Sequence, residues 1–157
     1  MQFFRVRKKD LHEILELIRN EFPYYTISPD DLRMRIDDAN YHLLKLVEGS
    51  TLQGYVEAEI LDPVERGARI NGIVVKKEFR RKGLGTRLLQ EMLEKLKAME
   101  MRHVVLVVET SNEPAKNLYQ KLGFKPLGVR GEPLAGKEVE EWLFEFPESM
   151  ETPSYVT

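Results

Sequence analysis

The sequence predicts one α/β domain in which a mixed sheet is flanked by four helices. Three observations carry that expectation. Apolar residues recur at helical spacing in four segments, alternating or continuous apolar runs of strand length lie between them, and turn residues mark the boundaries. With 157 residues the chain has room for one domain with a buried core and not for two.

Taken in order, residues 2–7 read as a strand. Asp10 with Glu13 three residues on forms a capping-box pattern, and Leu11, Ile14, Leu15, Ile18 and Phe22 follow at helical spacing to about Glu21, where Pro23 ends the helix. Ser28-Pro29-Asp30-Asp31 starts a second helix: a hydroxyl cap, a proline in the first turn, and acids at the positive end of the dipole. It ends near Ala39. Strands at 41–47 and 52–61 are joined through Glu48-Gly49-Ser50-Thr51 as a hairpin, and a strand at 68–76 follows the turns at Asp62-Pro63 and Arg66-Gly67. A helix from Gly83 to Met99 carries the apolar stripe Leu88, Leu89, Met92, Leu93, Leu96 and Met99, with Glu91 and Lys95 placed to pair on its wet face. Residues 103–109 form a buried strand. A short helix at 113–122 has Pro114 in its first turn and Gly123 as its cap, and strands at 124–130 and 138–146 close the domain. No repeat or linker interrupts residues 1–146, and 147–157 read as a loose tail. The order is β-α-α-β-β-β-α-β-α-β-β.

Composition narrows the function classes. A net charge of −2 argues against bulk binding to nucleic acid or an anionic membrane, so any basic site must be local. The longest apolar run, Val104 to Val108, is too short for a membrane span, and charge interrupts Met1–Arg7 too early for a signal peptide. The chain has no cysteine, which excludes a disulfide framework, a thiolate metal site and a covalent acyl-cysteine on the enzyme. His12, His42 and His103 form no metal-ligand pattern and are expected to cap, pack or face water. A cytoplasmic protein with no metal, monomeric or homodimeric, is the expectation.

The clearest chemistry lies in Ile73-Val74-Val75-Lys76-Lys77-Glu78-Phe79-Arg80-Arg81-Lys82-Gly83-Leu84-Gly85-Thr86. A strand ends, a basic loop turns, and two glycines lead into an amphipathic helix. Free N–H groups at a helix start attract anions, and glycine permits the backbone angles and close approach that such a turn requires. Arg80, Arg81, Lys82 and Arg87 add local positive charge, so the inferred ligand is a phosphate or diphosphate. Leu88 stands where the Rossmann pattern needs its third glycine, and the Walker Gly-Lys-Ser/Thr is absent. A basic helix start with no ligand is the bland alternative.

Further along stand Asn112, Leu118-Tyr119 and Gly123-Phe124. Arg80-x-x-Gly83-x-Gly85 followed by these residues resembles the GNAT superfamily of N-acetyltransferases, over residues 2–146 in element order and 70–125 in motif detail. The resemblance implies a mostly antiparallel central sheet of about six to seven strands and acetyl-CoA as cosubstrate. It implies that Ile73, Val74 and Val75 offer backbone partners to the pantetheine arm, and that N–H groups of Arg81, Lys82, Gly83, Leu84, Gly85 and Thr86 hold the diphosphate. Asn112 would bond the cofactor arm, or else only cap the helix after it. Tyr119 would lie by the thioester sulfur and protonate the departing thiolate, and an N–H near Val75 would steady the oxyanion.

The base is less determined. In bacterial ribosomal-protein N-terminal acetyltransferases, which the chain resembles in size and in its Phe22-Pro23 segment, a glutamate precedes the Asn on its strand; Val107 stands there in this chain. Tyr55, Glu57 and Glu59 alternate onto one face of a strand, as a proton relay or as a solvated outer face. Glu59 is taken as the base, and Glu109 is a further carboxylate able to face the site. Phe22 through Ser28 resembles the acceptor loop of N-terminal acetyltransferases, which implies a peptide or protein N-terminus as acceptor, with Glu21, Tyr24 and Tyr25 where the family places acceptor contacts. The alternatives are a small-molecule amine, a non-catalytic CoA-binding module, and an unrelated α/β domain with a fortuitous glycine loop.

Overall fold

The computed structural model describes residues 1–22 and 26–147. Strands Gln2–Arg5 (β1), Tyr41–Glu48 (β2), Thr51–Asp62 (β3), Gly67–Val75 (β4), His103–Glu109 (β5), Lys125–Val129 (β6) and Val139–Glu145 (β7) form one sheet in the order β1-β2-β3-β4-β5-β7-β6. The helices are Leu11–Glu21 (α1), Pro29–Asp37 (α2), Leu84–Ala98 (α3) and Glu113–Lys121 (α4). The mixed, mostly antiparallel sheet with four flanking helices is the expected architecture. Pro23, Tyr24, Tyr25 and the tail from 148 to 157 lie outside the described residues. No helix among the described residues is long and apolar enough to cross a membrane.

Two apolar layers sandwich the sheet. The stripe of α3 packs Leu88, Leu89, Met92 and Leu96 against Val56, Ala58, Ile70, Val104, Leu106 and Trp142 on one face. On the other, α1 and α2 set Ile14, Ile18, Leu32 and Ile36 against Leu43, Tyr55 and Val74. Burying each such aliphatic side chain stabilises the fold by about 1.5–3 kcal/mol before entropy is counted. Tyr55 and Val74 face one layer while Val56 and Ile73 face the other, as strand alternation requires.

Local signals mostly act where expected. The Ser28 hydroxyl accepts from the Asp31 N–H at 3.0 Å, and Gly123 closes α4 with φ +102°. Two expectations fail. Asp10 does not cap α1; its carboxylate accepts from the Arg7 N–H at 2.8 Å and from Lys45 Nζ at 2.7 Å. The box therefore closes a short 3-10 turn at Lys8–Asp10, with Arg7 as its cap. Burial alone would raise the Asp10 carboxyl, but Lys45, the Arg7 N–H and Lys9 together hold it below its usual value. Nor do Glu91 and Lys95 pair. Lys95 is half-buried, and burial first, then the Arg5 charge, lowers its ammonium pKa.

One joint in the sheet matters most for function. Every strand pair is antiparallel except β4 with β5, which run parallel and pair only at Gly67–Arg69 against His103–Val105. Beyond Arg69 and Val105 the two strands part. His103 also closes over the start of β4: a Cβ on Gly67 would meet its imidazole at 2.5 Å, so any larger residue there would have to push the ring aside.

Candidate active site

The opening between β4 and β5 exposes a strand edge. Lys76 donates its N–H to the Gln53 carbonyl at 2.9 Å, and the register continues as Val75↔Gly54, Val74↔Tyr55 and Ile73↔Val56. Antiparallel pairs alternate between bonded and non-bonded, so Val74 spends its N–H and C=O on Tyr55 while Ile73 and Val75 turn theirs to the gap. The Val75 carbonyl accepts from Arg80 Nε at 3.2 Å. Arg80 also pairs with Glu21 at the end of α1, and the Lys77 N–H bonds the same carboxylate at 3.3 Å, which anchors the basic loop.

From that anchor the chain turns through left-handed conformations at Arg81 (φ +64°) and Gly83 (φ +76°) into α3. Among the described residues, none of the N–H groups from Arg81 to Thr86 has an acceptor; the first bond of the helix runs from Arg87 to the Gly83 carbonyl at 3.1 Å. Six consecutive donors lie at the positive end of a 15-residue helix, an arrangement able to hold an anion. Arg81, Lys82 and Arg87 are exposed and in no ion pair among the described residues. Gly85 sits where three elements converge: a Cβ there would lie 3.6 Å from Leu118 of α4 and 4.0 Å from Val75 of β4.

On α4, Asn112 accepts from the Ala115 N–H at 3.2 Å as the helix cap, which leaves its amide NH2 unused among the described residues. Tyr119 packs its ring against Phe124 and Trp142, with centroids 5.9 and 6.5 Å away. Its hydroxyl has no partner among the described residues, and desolvation pushes the phenol up to about 12. The ring keeps a solvent-accessible margin while most of its surroundings are protein.

The opposite face holds a polar network in place of a solvated outer surface. Glu57 is fully buried; it accepts from Arg35 Nη1 at 3.0 Å, Asn71 Nδ2 at 2.7 Å and the Tyr55 hydroxyl at 3.2 Å. Glu59 accepts from Arg69 Nη2 at 3.1 Å and Asn71 Nδ2 at 3.2 Å. Tyr41 adjoins this cluster, its phenol raised by burial and by Glu59. Arg69 and Asn71 stand on β4 between these carboxylates and the gap. The β3/β4 register shifts between Glu57 and Ala58, which leaves Asn71 unmatched and turned into the network.

Across the gap, Val105, Val107 and Glu109 of β5 lie on this same face, with Glu141 of β7 directly opposite Val107. Glu109 pairs with Lys137 at 3.6 Å, beside a recess of about 450 Å³ lined by Glu109, Thr110, Ser111, Lys137 and Glu138. Sequence reasoning missed Glu141 because Glu140 and Glu141 are adjacent and alternation alone does not say which faces the site. Of the histidines, His42 is half-buried on β2, and burial, then Lys95 and Arg5, lower its pKa.

A parted parallel pair, an exposed strand edge and a donor-rich loop running into a helix define an acyl-CoA acyltransferase fold. The match to the acetyltransferase (GNAT) family spans residues 11–124, and the chain belongs to that family. A Bacillus subtilis (strain 168) protein provisionally named ribosomal protein bS18-alanine N-acetyltransferase is 29% identical over 125 residues, covering 80% of this chain and 81% of its own length. An N-alpha-acetyltransferase of Sulfurisphaera tokodaii is 26% identical over 138 residues, covering 80% and 83%. In structure, the ribosomal-protein-S18-alanine N-acetyltransferase of Escherichia coli superposes with a TM-score of 0.83 at 18% identity over 97% of both chains. An N-acetyltransferase of Thermoplasma acidophilum in complex with coenzyme A gives 0.77 at 21% identity, over 92% of this chain and 98% of its own.

Proposed function

We propose that this protein is an N-acetyltransferase that moves the acetyl group of acetyl-CoA directly onto the amine of a peptide or protein N-terminus. The observation that carries the reading is the row of N–H groups without acceptors from Arg81 to Thr86, beside the point where β4 and β5 part. The residues present fit the cosubstrate. Arg81, Lys82, Gly83, Leu84, Gly85 and Thr86 would hold the diphosphate through their backbone, as helix starts hold anions. Ile73 and Val75 would bond the pantetheine arm along the free edge of β4, as an added strand would, while Val74 fixes that edge by its buried side chain. The spare amide NH2 of Asn112 would bond the same arm.

Acetyl-CoA supplies an activated acyl thioester. The chain's own residues handle charge and protons around it. An N-terminal amine, with a reference pKa of about 8, must lose a proton before it attacks. Glu59, held on the acceptor face by Arg69 and Asn71, takes that proton through water. The Val75 N–H, free at the edge, donates to the acyl oxygen as negative charge develops there. Tyr119 stays protonated at neutral pH and gives its proton to the departing sulfur. Without cysteine the chain needs no oxidising compartment, and we place it in the cytoplasm as a monomer or homodimer.

The test is free-thiol release from acetyl-CoA with a panel of N-terminal peptides and polyamines. Peptide-dependent release that Glu59→Gln reduces by about a hundredfold or more supports the reading. Release with polyamines alone would make a small amine the substrate. A CoA-induced rise in melting temperature without release from any acceptor would mark a binding module instead.

A further inference from the structure

The face of the sheet opposite α3 is covered by α1 and α2 only as far as β4. Over β5 and β7 that face is a shelf of half-buried residues: Val105 and Val107, then Glu141 and Leu143. Glu141 stands out among the acids. Glu21, Glu57, Glu59, Glu109 and Glu140 are buried or half-buried, and each lies within 4.0 Å of an arginine or lysine nitrogen. Glu141 is half-buried too, yet among the described residues it has neither an ion pair nor a hydrogen bond. Its register explains why. It faces Val107 on one side and Gly128 on the other, an apolar side chain and none at all. Its carboxylate is therefore left open on this face to a cation that arrives with a ligand.

We infer that Glu141 receives the protonated amine of the acceptor and docks it on the Val105–Val107–Leu143 shelf, at the lip of the gap between β4 and β5. This inference rests on the N-acetyltransferase reading and names the part of that site which binds the charged acceptor. Neighbouring strands are about 4.8 Å apart, roughly the reach of a glutamate side chain, so the carboxylate can reach over Val107 toward the gap-side edge of β5. The short, uncharged Val107 leaves that path open. The α-amine of a peptide reaches the site mostly as an ammonium below about pH 8, and an ammonium requires a counterion on the face from which it enters. Glu59 lies on the far side of the gap, already committed to Arg69. The acceptor therefore docks at Glu141 and loses its proton toward Glu59. The charged and titratable groups sharing this face with Glu141 are Glu109 with Lys137 on the β5 side, His103 and the opposite Glu145 beyond Val105 and Leu143, Lys125 opposite Leu143 on β6, and Glu59 with Arg69 across the gap.

Steady-state kinetics on the full chain with an N-terminal peptide test the idea. Glu141→Gln is expected to raise the peptide KM about tenfold or more at pH 7, with a smaller change in kcat and none in the KM for acetyl-CoA. The defect is expected to shrink above pH 8, where the peptide enters neutral. Adding Val107→Glu to Glu141→Gln returns the carboxylate one strand nearer the gap and is expected to recover most of the peptide KM, which a merely structural role would not allow. A peptide KM within twofold of wild type in Glu141→Gln overturns the inference while leaving acetyl transfer standing. No transfer by the wild type to any peptide overturns both.

Discussion

Replacing Tyr119 by phenylalanine should separate chemistry from stability, and the structure sets both magnitudes. The hydroxyl bonds nothing among the described residues, so the change forfeits no hydrogen bond, and the ring keeps its contacts with Phe124 and Trp142. Losing a hydroxyl with no partner among the described residues should change the stability of the fold by no more than about 1 kcal/mol. Catalysis should suffer instead. With the phenol at about 12, only about one molecule in ten thousand is ionised at pH 8, so the wild type holds its proton throughout the working range. Without that proton, kcat for thiol release should fall about a hundredfold or more. The alkaline limb adds a second reading. The folded value lies above the ordinary phenol value of 10.0, so the stability from the protonated phenol is fully present below pH 10 and is lost as pH rises toward 12. That loss is about 2–3 kcal/mol in the wild type and absent from the variant, whose melting curve should decline less between those pH values. Thiol-release kinetics and thermal melts across pH measure both. A kcat within threefold of wild type with an unchanged pH profile would refute the general-acid role, and a markedly lower melting temperature would refute the claim of an unpartnered hydroxyl.

Two further outcomes follow from the same geometry. Glu57→Gln removes the fully buried negative charge against Arg35 and should cost about 3 kcal/mol, lowering the melting temperature by about 6–12 °C; a shift under about 2 °C would mean the pair is not held as described. Gly83→Ala finds open space for its Cβ but must hold φ +76°, so it should cost about 1 kcal/mol in urea titration and weaken the CoA-induced rise in melting temperature. An unaltered CoA response in that variant would count against the diphosphate cradle.

What the sequence made legible was local. Ser28, the Gly49-Ser50 hairpin and Gly123 work through neighbours within a few residues, so their chemistry can be read from spacing alone. The Arg80–Thr86 loop belongs to the same class, because unpaired donors at a helix start are a property of the chain itself. Asp10 shows the limit. A capping pattern was present, but Lys45, 35 residues away on β2, captures its carboxylate. Glu57 shows it again: its buried state is possible only because Arg35 and Asn71 arrive from α2 and β4. Where β4 and β5 part, and which of Glu140 and Glu141 turns to the shelf, depend on register between strands distant in sequence. Periodicity within one strand carries no record of that.

The three rungs joining β4 to β5 divide the sheet into two leaves, one of four strands and one of three, each antiparallel within itself. Main-chain bonding is thinnest along that seam, and α3 bridges it by laying one apolar flank across both leaves. Under the proposed function, a cosubstrate lodged in the cleft would supply the missing rungs and mend the sheet at its weakest join. Occupancy should therefore slow amide exchange on both sides of the seam together, so that the free enzyme is the looser body and the loaded one the finished sheet.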